Sequence, residues 1–308
     1  MTKIAVMMST YNGEKYLKEQ IDSILEQEKV EIYLYIRDDG SNDGTIEIIN
    51  DFISNNKNIK LFKGENLGVG NSFMELLYLT PGSYEYYAFS DQDDIWCSNK
   101  LSKAIDVLES DRNILLYASN QELVDCNGNK LGMRYSHDEV IPLIPEAEFQ
   151  INRISGCTFV FTNRLQGILY NPDRRPSYEL LLNRMHDVWV ANVAALYNGI
   201  YYDNNSYVKY RQHETNVVGA YSEGIVYDIK SKIKKLHNKS TRKGRSFLAH
   251  ELCKCFPDKT KMHPIIDCCK ENLKIKDKIY LIKNGKALIK FTRESYVGLV
   301  VKICMNLY

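Results

Sequence analysis

The chain has 308 residues, of which 44% are hydrophobic and 26% are charged, and its formal net charge is +1. These values are ordinary for a soluble globular protein with one large domain, or one domain and an appendage. No leader-like segment opens the sequence, and the longest uncharged apolar stretch, 188–202, is shorter than the ~20 residues of a membrane span. We therefore expect a cytoplasmic protein.

The charges are distributed unevenly along the chain. Residues 221–308 hold 20 Lys and Arg against 8 Asp and Glu, whereas the first 220 residues hold 20 basic and 31 acidic groups. This pattern predicts a basic helical appendage over 221–308 that contacts something anionic, namely the acidic domain itself, an anionic membrane surface or a phosphate-bearing substrate.

The first 110 residues alternate short apolar runs with polar turns and helical patterns. The runs 4–8, 32–36, 59–62 and 86–89 predict buried strands, and each is followed by apolar residues at helical spacing. Four such units favour a doubly wound α/β sheet, in which ligands bind beyond the carboxyl ends of the strands.

Polar turns follow all four predicted strands and would meet at that edge. The first three contain Ser9, Thr10, Tyr11 and Asn12, then Asp38 and Asp39, then Asn66 and Gly68. Glycines and backbone amides suit phosphates, and an aspartate at a strand end suits a base or a ribose hydroxyl. Ordinary turn chemistry explains each turn alone, but their coincidence at one edge favours a nucleotide diphosphate site.

The fourth strand leads directly into Asp91, Asp93 and Asp94. Close carboxylates raise one another's pKa unless a divalent cation or hydrogen-bond donors neutralise them. The alternative is an acidic turn that caps the helix near Ser98. Because alternate side chains share a face, Asp91 and Asp93 can point the same way and could share a divalent cation, Mg²⁺ or Mn²⁺, and the residues of this loop alone leave the metal site and the acidic turn both open.

Three later segments add candidates. A turn at 125–129 predicts a hairpin between 115–123 and 130–135, and residues 155–161 predict a strand with small residues at its mouth. Asp187 begins a buried helix, either as its N-cap or as a general base, with His186 beside it. Arg211 and His213 end another strand, as a surface ion pair or as contacts to pyrophosphate or metal.

These residues resemble family 2 glycosyltransferases of the GT-A fold, and more narrowly bacterial rhamnosyltransferases that build cell-wall and capsular polysaccharides. The most specific segment is the Ser-Asp-Gln-Asp-Asp-Ile-Trp sequence at 90–96. The other matching segments are 8–13, 36–41, 66–69, 155–158, 186–189, 210–213 and 216–219.

The resemblance implies a role for each candidate. The acceptor hydroxyl would lose its proton to Asp187 and attack the anomeric carbon with inversion. Donor contacts would come from Ser9, Thr10, Tyr11, Asn12, Asp39, Asn66, Gly68, Asp91, Gln92, Arg211 and His213. Metal ligands would be Asp91, Asp93 and His213. Acceptor contacts would come from Trp96, Gly156, His186 and Trp189.

The resemblance also implies the partners and the division of the chain. The donor would be dTDP-L-rhamnose, with UDP-linked hexoses as the alternative, and the acceptor a saccharide or a lipid-linked oligosaccharide, with no nucleic acid partner. Residues 1–220 would form the catalytic domain, with a donor half at 1–120 and an acceptor half at 121–220. Beyond 221 the resemblance is loose: the appendage at 221–308 would either pack on the catalytic domain or, through its basic surface, contact the inner face of an anionic membrane where a lipid-linked acceptor would lie.

Three alternatives to a catalytic glycosyltransferase are a binding module, an oxidoreductase and a zinc-binding protein. A nucleotide-sugar-binding module without turnover is the main rival, since a fold can persist after its chemistry is lost. A nicotinamide oxidoreductase is disfavoured because Gly68-x-Gly70 lacks the third glycine of the dinucleotide fingerprint. The eight cysteines are expected to be reduced thiols, and a zinc site at Cys253, Cys255 and His263 matches no common ligand spacing.

Overall fold

The computed structural model describes residues 1–213, 244–269, 273–290 and 295–305. These residues form two compact units. The first comprises Met1–Ile141, Ile154–Tyr170 and 199–213, and the second comprises Pro142–Arg153, Asn171–Asn198 and the described residues beyond 243. The segment 216–219 and the helical positions Ile233 and Leu236 lie outside the described residues.

The first unit is built on one nine-stranded mixed sheet. Its strands are β1 (Thr2–Thr10), β2 (Val30–Asp38), β3 (Ile59–Lys63), β4 (Tyr86–Ser90), β5 (Ile95–Trp96), β6 (Leu116–Val124), β7 (Lys130–Met133), β8 (Val160–Thr162) and β9 (Ile200–Arg211). The order is β3-β2-β1-β4-β8-β6-β9-β5, with β7 paired to β6. Strands β1 to β4 run parallel, whereas β8 is antiparallel to both β4 and β6.

Three helices connect the parallel strands β1 to β4, namely α1 (Leu17–Leu25), α2 (Thr45–Asn55) and α3 (Val69–Leu79). Helix α4 (Lys100–Ser110) lies between β5 and β6, and α6 (Asn163–Tyr170) follows β8. The apolar run of β1 is fully buried because helices cover both faces of a parallel sheet. Its side chains share a core with those of α1 and α4 that include Leu17, Ile21, Ile24, Leu101 and Ile105.

The α/β fold predicted from the sequence is confirmed, together with the hairpin between β6 and β7. The continuous strand predicted at 155–161 is wrong. Residues Gly156–Thr158 form a turn of 3₁₀ helix, and only Val160–Thr162 pair as a strand. Thr158 N–H and Oγ1 both bond to the Ser155 carbonyl, which closes the turn before the strand begins.

The second unit is helical. Its helices are α5 (Pro145–Gln150), α7 (Tyr178–Asn183), α8 (His186–Leu196), α9 (Gly244–Cys255), α10 (Pro257–Thr260), α11 (Pro264–Cys268), α12 (Ile275–Lys283), α13 (Gly285–Ile289) and α14 (Tyr296–Cys304). Two segments that precede residue 220 thus group with the C-terminal helices, so the compact units do not follow chain order. The predicted donor half, acceptor half and appendage stay predictions. Over the described ranges, we find no helix with both the length and the apolar character needed to cross a bilayer.

Candidate active site

The polar turns after β1, β2, β3 and β4 lie at one edge of the sheet. Because these strands are parallel and Thr10 pairs with Asp38 in register, their carboxyl ends coincide. Side chains then join the turns to one another across this edge. Hydrogen bonds between neighbouring turns therefore fix the conformation of this edge.

Gln92 connects the fourth turn to the first. Its Oε1 accepts the Tyr11 N–H at 3.0 Å, and its Nε2 donates to the Tyr11 carbonyl at 3.1 Å. Gly13 lies so close that any Cβ atom there would overlap the Gln92 carboxamide. A larger residue at position 13 would therefore displace the Gln92 carboxamide from its hydrogen bonds to the backbone of the first turn.

Asn12 connects the first turn to the second. Its N–H donates to Ser41 Oγ at 2.9 Å, and its side-chain Oδ1 accepts the Asn42 N–H at 2.9 Å. The Asn12 backbone has φ of 48°, which asparagine tolerates better than most residues. Tyr11 beside it is exposed, so its ring is open to a ligand.

Asp39 holds the third turn. Its two carboxylate oxygens accept the N–H groups of Leu67 and Gly68 at 2.9 and 3.0 Å, and Arg37 forms an ion pair with it. Gly68 has φ of +78°, a conformation that favours glycine, and it is the residue before α3. Asp39 is thereby buried and fixed, while Asn66 next to the turn is exposed.

Ser9 and Thr10 complete the edge at the end of β1. Ser9 Oγ lies 2.6 Å from Ser72 Oγ, which also accepts a hydrogen bond from Arg37 Nη1 at 3.0 Å. Thr10 Oγ1 is buried with no hydrogen-bond partner among the described residues. The predicted donor contacts of these turns stay predictions.

The acidic loop after β4 directs its carboxylates to different sides. Ligand atoms of Asp91, Asp94 and Cys157 lie within 4.8 Å of one another. Asp94 is fully buried, and burial together with the charges of Asp93 and Asp91 raises its pKa well above the usual range. Asp94 Oδ1 accepts the Arg211 N–H at 3.2 Å, so the carboxyl group joins the loop to β9 and does not cap α4.

Asp93 turns toward the end of β9. Its Oδ2 lies 2.8 Å from His213 Nε2. The His213 ring stacks on Tyr16, with ring centroids 5.3 Å apart. Two predicted metal ligands that are 120 positions apart in sequence are thus brought into direct contact.

Arg211 forms hydrogen bonds with the acidic loop. Its guanidinium donates to the carbonyls of Asp93 and Cys126 at 3.0 Å each and to Glu19 Oε2 at 2.6 Å, and it lies over the Tyr16 ring. The side chain is buried, so in this structure Arg211 positions the acidic loop. Its predicted direct contact with the donor stays a prediction.

Trp96 follows the acidic loop and packs into the protein interior. It is buried in the core of the first unit, and Lys100 Nζ lies 3.5 Å from the centroid of its ring. Burial lowers the pKa of Lys100 to about 7. Lys100 Nζ has no hydrogen-bond acceptor among the described residues, and the Trp96 ring, Cys157 and Asp94 are the groups that favour its charged form.

The residues of the loop fit a divalent cation. Oxygen and imidazole ligands are those that Mg²⁺ and Mn²⁺ accept; Asp93 and His213 lie in contact, and Asp91 lies with Asp94 and Cys157. The buried Oδ2 of Asp94 has no nitrogen or oxygen donor among the described residues, which is consistent with a cation site next to it. Asp91, Asp94 and Cys157 are the cluster of possible ligand groups found within the described ranges.

Asp187 lies in the second unit. The N-cap of α8 is Met185, so the N-cap interpretation of Asp187 is wrong. Asp187 is the second residue of the helix, half-buried, and its Oδ1 accepts the Val188 N–H at 2.7 Å. A carboxylate in the first helical turn is held in one orientation, as a general base needs.

The residues next to Asp187 are buried. His186 is buried and its pKa falls to about 3 through burial, so its ring is neutral. Trp189 is also buried and packs on Phe256, with ring centroids 6.1 Å apart. In the first unit, Gly156 is buried in the 3₁₀ turn. The predicted acceptor contacts of Trp96, Gly156, His186 and Trp189 stay predictions.

Some functional neighbours were missed by the sequence analysis. The i, i+2 spacing of Arg37 and Asp39 on an extended segment was a usable signal for their ion pair, because such side chains share a face. No local pattern links Tyr16 or Glu19 to Arg211, or Cys157 to the acidic loop, since these pairs meet only through the fold.

The zinc alternative is not supported by the described geometry. His263 Nδ1 lies 2.9 Å from Glu146 Oε1, Cys255 lies against the Arg175 carbonyl at 3.7 Å, and Cys253 lies 3.8 Å from Asp267 Oδ1. The three side chains are thus directed to different partners.

Comparison with known proteins identifies the family. The model for glycosyl transferase family 2 matches residues 5–164, which is more than half of the chain. A dTDP-rhamnosyl transferase of Shigella flexneri, RfbG, is 31% identical over 230 residues, covering 69% of this chain and 74% of that protein. An uncharacterized glycosyltransferase of Haemophilus influenzae is 33% identical over 131 residues, covering 42% of this chain and about half (52%) of that protein.

The fold is shared with a solved transferase. The crystal structure of Staphylococcus aureus TarS 1-349 in complex with UDP-GlcNAc aligns with a TM-score of 0.56 at 19% identity, covering 97% of this chain and 84% of that chain. Its similarity supports the mixed sheet followed by helices. Together with the family match over 5–164, these findings show that the chain is a glycosyltransferase and belongs to glycosyl transferase family 2.

Proposed function

We propose that the chain is an inverting, metal-dependent transferase that moves L-rhamnose from dTDP-L-rhamnose to a saccharide or lipid-linked acceptor in bacterial cell-surface polysaccharide synthesis. The observation that carries the proposal is the acidic loop, in which Asp93 contacts His213 at 2.8 Å and Asp91 lies with Asp94 and Cys157. The choice of rhamnose is supported by the 31% identity to the Shigella dTDP-rhamnosyl transferase. A UDP-hexose donor is the alternative.

The donor would bind along the edge formed by the first four strands. The exposed Tyr11 ring and the exposed Asn66 side chain are suited to contact the nucleoside. Asp91, Asp93 and His213 would hold Mg²⁺ or Mn²⁺. Such a cation, when bound, neutralises the charge that develops on the departing diphosphate.

The acceptor step is assigned to Asp187. The acceptor hydroxyl gives its proton to the Asp187 carboxylate, and its oxygen forms a bond to the anomeric carbon of the sugar. The bond from that carbon to the diphosphate oxygen breaks, and the nucleoside diphosphate leaves with the electron pair. One displacement inverts the configuration, so no covalent sugar–enzyme intermediate is required.

The C-terminal helices support a further part of the proposal, namely peripheral contact with an anionic membrane at the inner face of the cell. Ile275 and Ile279, one turn apart on α12, are exposed, as are Val297 and Val301 on α14. The described ranges 273–290 and 295–305 contain seven lysines and one aspartate. Exposed aliphatic side chains among lysines suit an anionic lipid surface.

A donor screen tests the proposal. Thermal unfolding would be followed with dTDP-L-rhamnose, UDP-glucose, UDP-GlcNAc and NAD⁺, each with and without Mn²⁺. We expect the largest stabilisation with dTDP-L-rhamnose and Mn²⁺, because a ligand that binds only the folded state raises its stability. A response to NAD⁺ alone would contradict the proposal. Release of dTDP on addition of a saccharide acceptor would separate a transferase from a binding module without turnover.

A further inference from the structure

Glu148, on α5, is a buried acid with no assigned role. Only 1% of the residue is exposed, and neither Oε1 nor Oε2 has a hydrogen-bond partner among the described residues. An ionised carboxylate is strongly disfavoured in such surroundings, and a buried polar group without partners calls for an explanation.

The backbone of α5 is attached to the first turn of α8. Asn192 Nδ2 donates to the Val188 carbonyl at 2.8 Å and to the Glu148 carbonyl at 3.5 Å. The Val188 N–H in turn donates to Asp187 Oδ1 at 2.7 Å. Glu148 therefore lies beside the turn that carries the assigned base, Asp187.

Two charged groups act on Glu148. Burial is the main cause that raises its pKa to about 8, the negative charge of Asp187 raises it further, and Arg153 opposes both. His186, at the start of α8, is buried and neutral. The remaining titratable groups on α5 and on the helices α9 and α11 packed against it are Glu146, Arg245, His250, Glu251, Cys253, Lys254, Cys255, Asp267 and Cys268, and His263 lies immediately before α11.

Several of these groups have partners of their own. Glu146 is paired with His263 at 2.9 Å, and Glu251 accepts the Ser177 N–H at 3.3 Å. His250 is exposed, so water screens its charge. Besides burial, the charges of Asp187 and Arg153 are therefore those that shift the pKa of Glu148.

We propose that Glu148 is a positioning residue for sugar transfer: as a neutral acid it fills the space beside the first turn of α8 without placing a second negative charge next to Asp187. This inference rests on the proposed function of Asp187. When Glu148 loses its proton, repulsion between the two carboxylates displaces Asp187 from the orientation in which it receives the acceptor proton. Transfer then declines on the alkaline side.

The test compares kcat from pH 6 to 9.5 in wild type, Glu148→Gln, Glu148→Leu and Glu148→Asp. If only the protonated form is active, wild-type kcat falls about tenfold between pH 7 and pH 9. Glu148→Gln and Glu148→Leu cannot ionise and should lose this decline, whereas Glu148→Asp should keep one. The matched control is Glu146→Gln on the same helix, which should follow the wild-type profile.

A purely structural role would alter thermal stability and yield in the Gln and Leu variants while leaving their pH profile as in wild type. That result would overturn the proposal. Two neutral variants of different polarity are used so that one poorly folded protein does not decide the outcome.

A second measurement does not depend on activity. Because the pKa of Glu148 in the folded chain lies above its ordinary value of 4.5, its stabilising contribution is complete below pH 4.5 and is lost as pH rises through 8. Relative to wild type, Glu148→Gln should therefore gain several degrees in Tm between pH 5 and pH 9. A Tm difference that is constant with pH would overturn the proposal. Absence of sugar transfer in wild type would instead overturn the proposed function and leave this result standing.

Discussion

His213 Nε2 lies 2.8 Å from Asp93 Oδ2, which joins the end of β9 to the acidic loop after β4. The Tyr16 ring stacks on the His213 ring. The imidazole is thus held between an aromatic ring and a carboxylate. A ring fixed in this way can act as a ligand without first being ordered by the cation.

Replacement of His213 should weaken metal-dependent nucleotide binding. We expect His213→Ala to raise the Kd for dTDP in the presence of Mn²⁺ by about 10- to 100-fold, since one ligand and its orienting contact are lost. Isothermal titration calorimetry measures this directly. His137→Ala, at an exposed position of the same unit, is the control and should bind as wild type does. Equal affinities in the two variants would exclude His213 from the site.

Replacement of Asp187 should separate chemistry from binding. Asp187→Asn keeps the shape of the side chain but cannot take the acceptor proton, so kcat should fall about 10²- to 10⁴-fold. Affinity for dTDP should not change. The control is Glu179→Gln, an exposed carboxylate on α7 in the same unit. Transfer at the wild-type rate by Asp187→Asn would mean that another group is the base.

Replacement of Lys100 should stabilise the protein in acid. Because burial lowers the pKa of Lys100 from 10.5 to about 7, the folded chain disfavours the charged form. The resulting destabilisation is absent above pH 10.5 and complete below pH 7. Lys100→Met should therefore raise the free energy of unfolding by about 1–3 kcal/mol at pH 6, after allowance for the lost contact with Trp96, and by little near pH 10.

Urea unfolding at pH 6, 8 and 10 measures the effect of Lys100→Met. Lys103→Met, an exposed lysine on the same helix, is the matched control and should show no comparable pH dependence. If Lys100→Met destabilised the chain equally at all three pH values, packing against Trp96 would outweigh the charge.

The alternating half of the fold followed from the sequence for a physical reason. A strand buried on both faces, such as β1, must be apolar throughout, and the helix after it needs an apolar stripe, so both patterns are visible locally. The polar turns could be assigned to one edge because parallel strands share their carboxyl ends. The strand prediction at 155–161 failed at its start because the small residues Gly156–Thr158 form a 3₁₀ turn, closed by the Thr158 hydrogen bond to the Ser155 carbonyl, which no local pattern separates from the start of a strand.

The site was only partly visible in the sequence. The spacing of Asp91 and Asp93 suggested that they act alike, yet Asp93 faces His213 while Asp91 lies with Asp94 and Cys157. The loop departs from an extended backbone, so strict alternation of side chains does not apply. The burial of Arg211 was likewise invisible, because its partners Glu19 and Cys126 come from distant parts of the chain.

The exposed aliphatic side chains of α12 and α14 should contribute to membrane binding. The variant Ile275→Ser, Ile279→Ser, Val297→Ser, Val301→Ser should float with phosphatidylglycerol vesicles at least several-fold less than wild type, because its buried apolar area is smaller. Neither protein should float with phosphatidylcholine vesicles. Val140→Ser, at an exposed apolar position of the first unit, is the control.

Two outcomes would contradict the membrane assignment. Equal flotation of the fourfold variant and wild type would remove these side chains from the contact. A dimer in wild type that becomes a monomer in the variant, without any vesicle binding, would show that the helices form a subunit interface instead.

We propose that the acidic loop forms a metal-dependent site for dTDP-L-rhamnose. The most direct test of this proposal is calorimetric titration of dTDP-L-rhamnose and, separately, UDP-glucose into the protein, with Mg²⁺ or Mn²⁺ and with EDTA, for wild type and Asp93→Asn. We expect wild type to bind dTDP-L-rhamnose at least tenfold more tightly than UDP-glucose, and EDTA or Asp93→Asn to abolish this binding. Binding of dTDP-L-rhamnose that is unchanged by EDTA and by Asp93→Asn would contradict it.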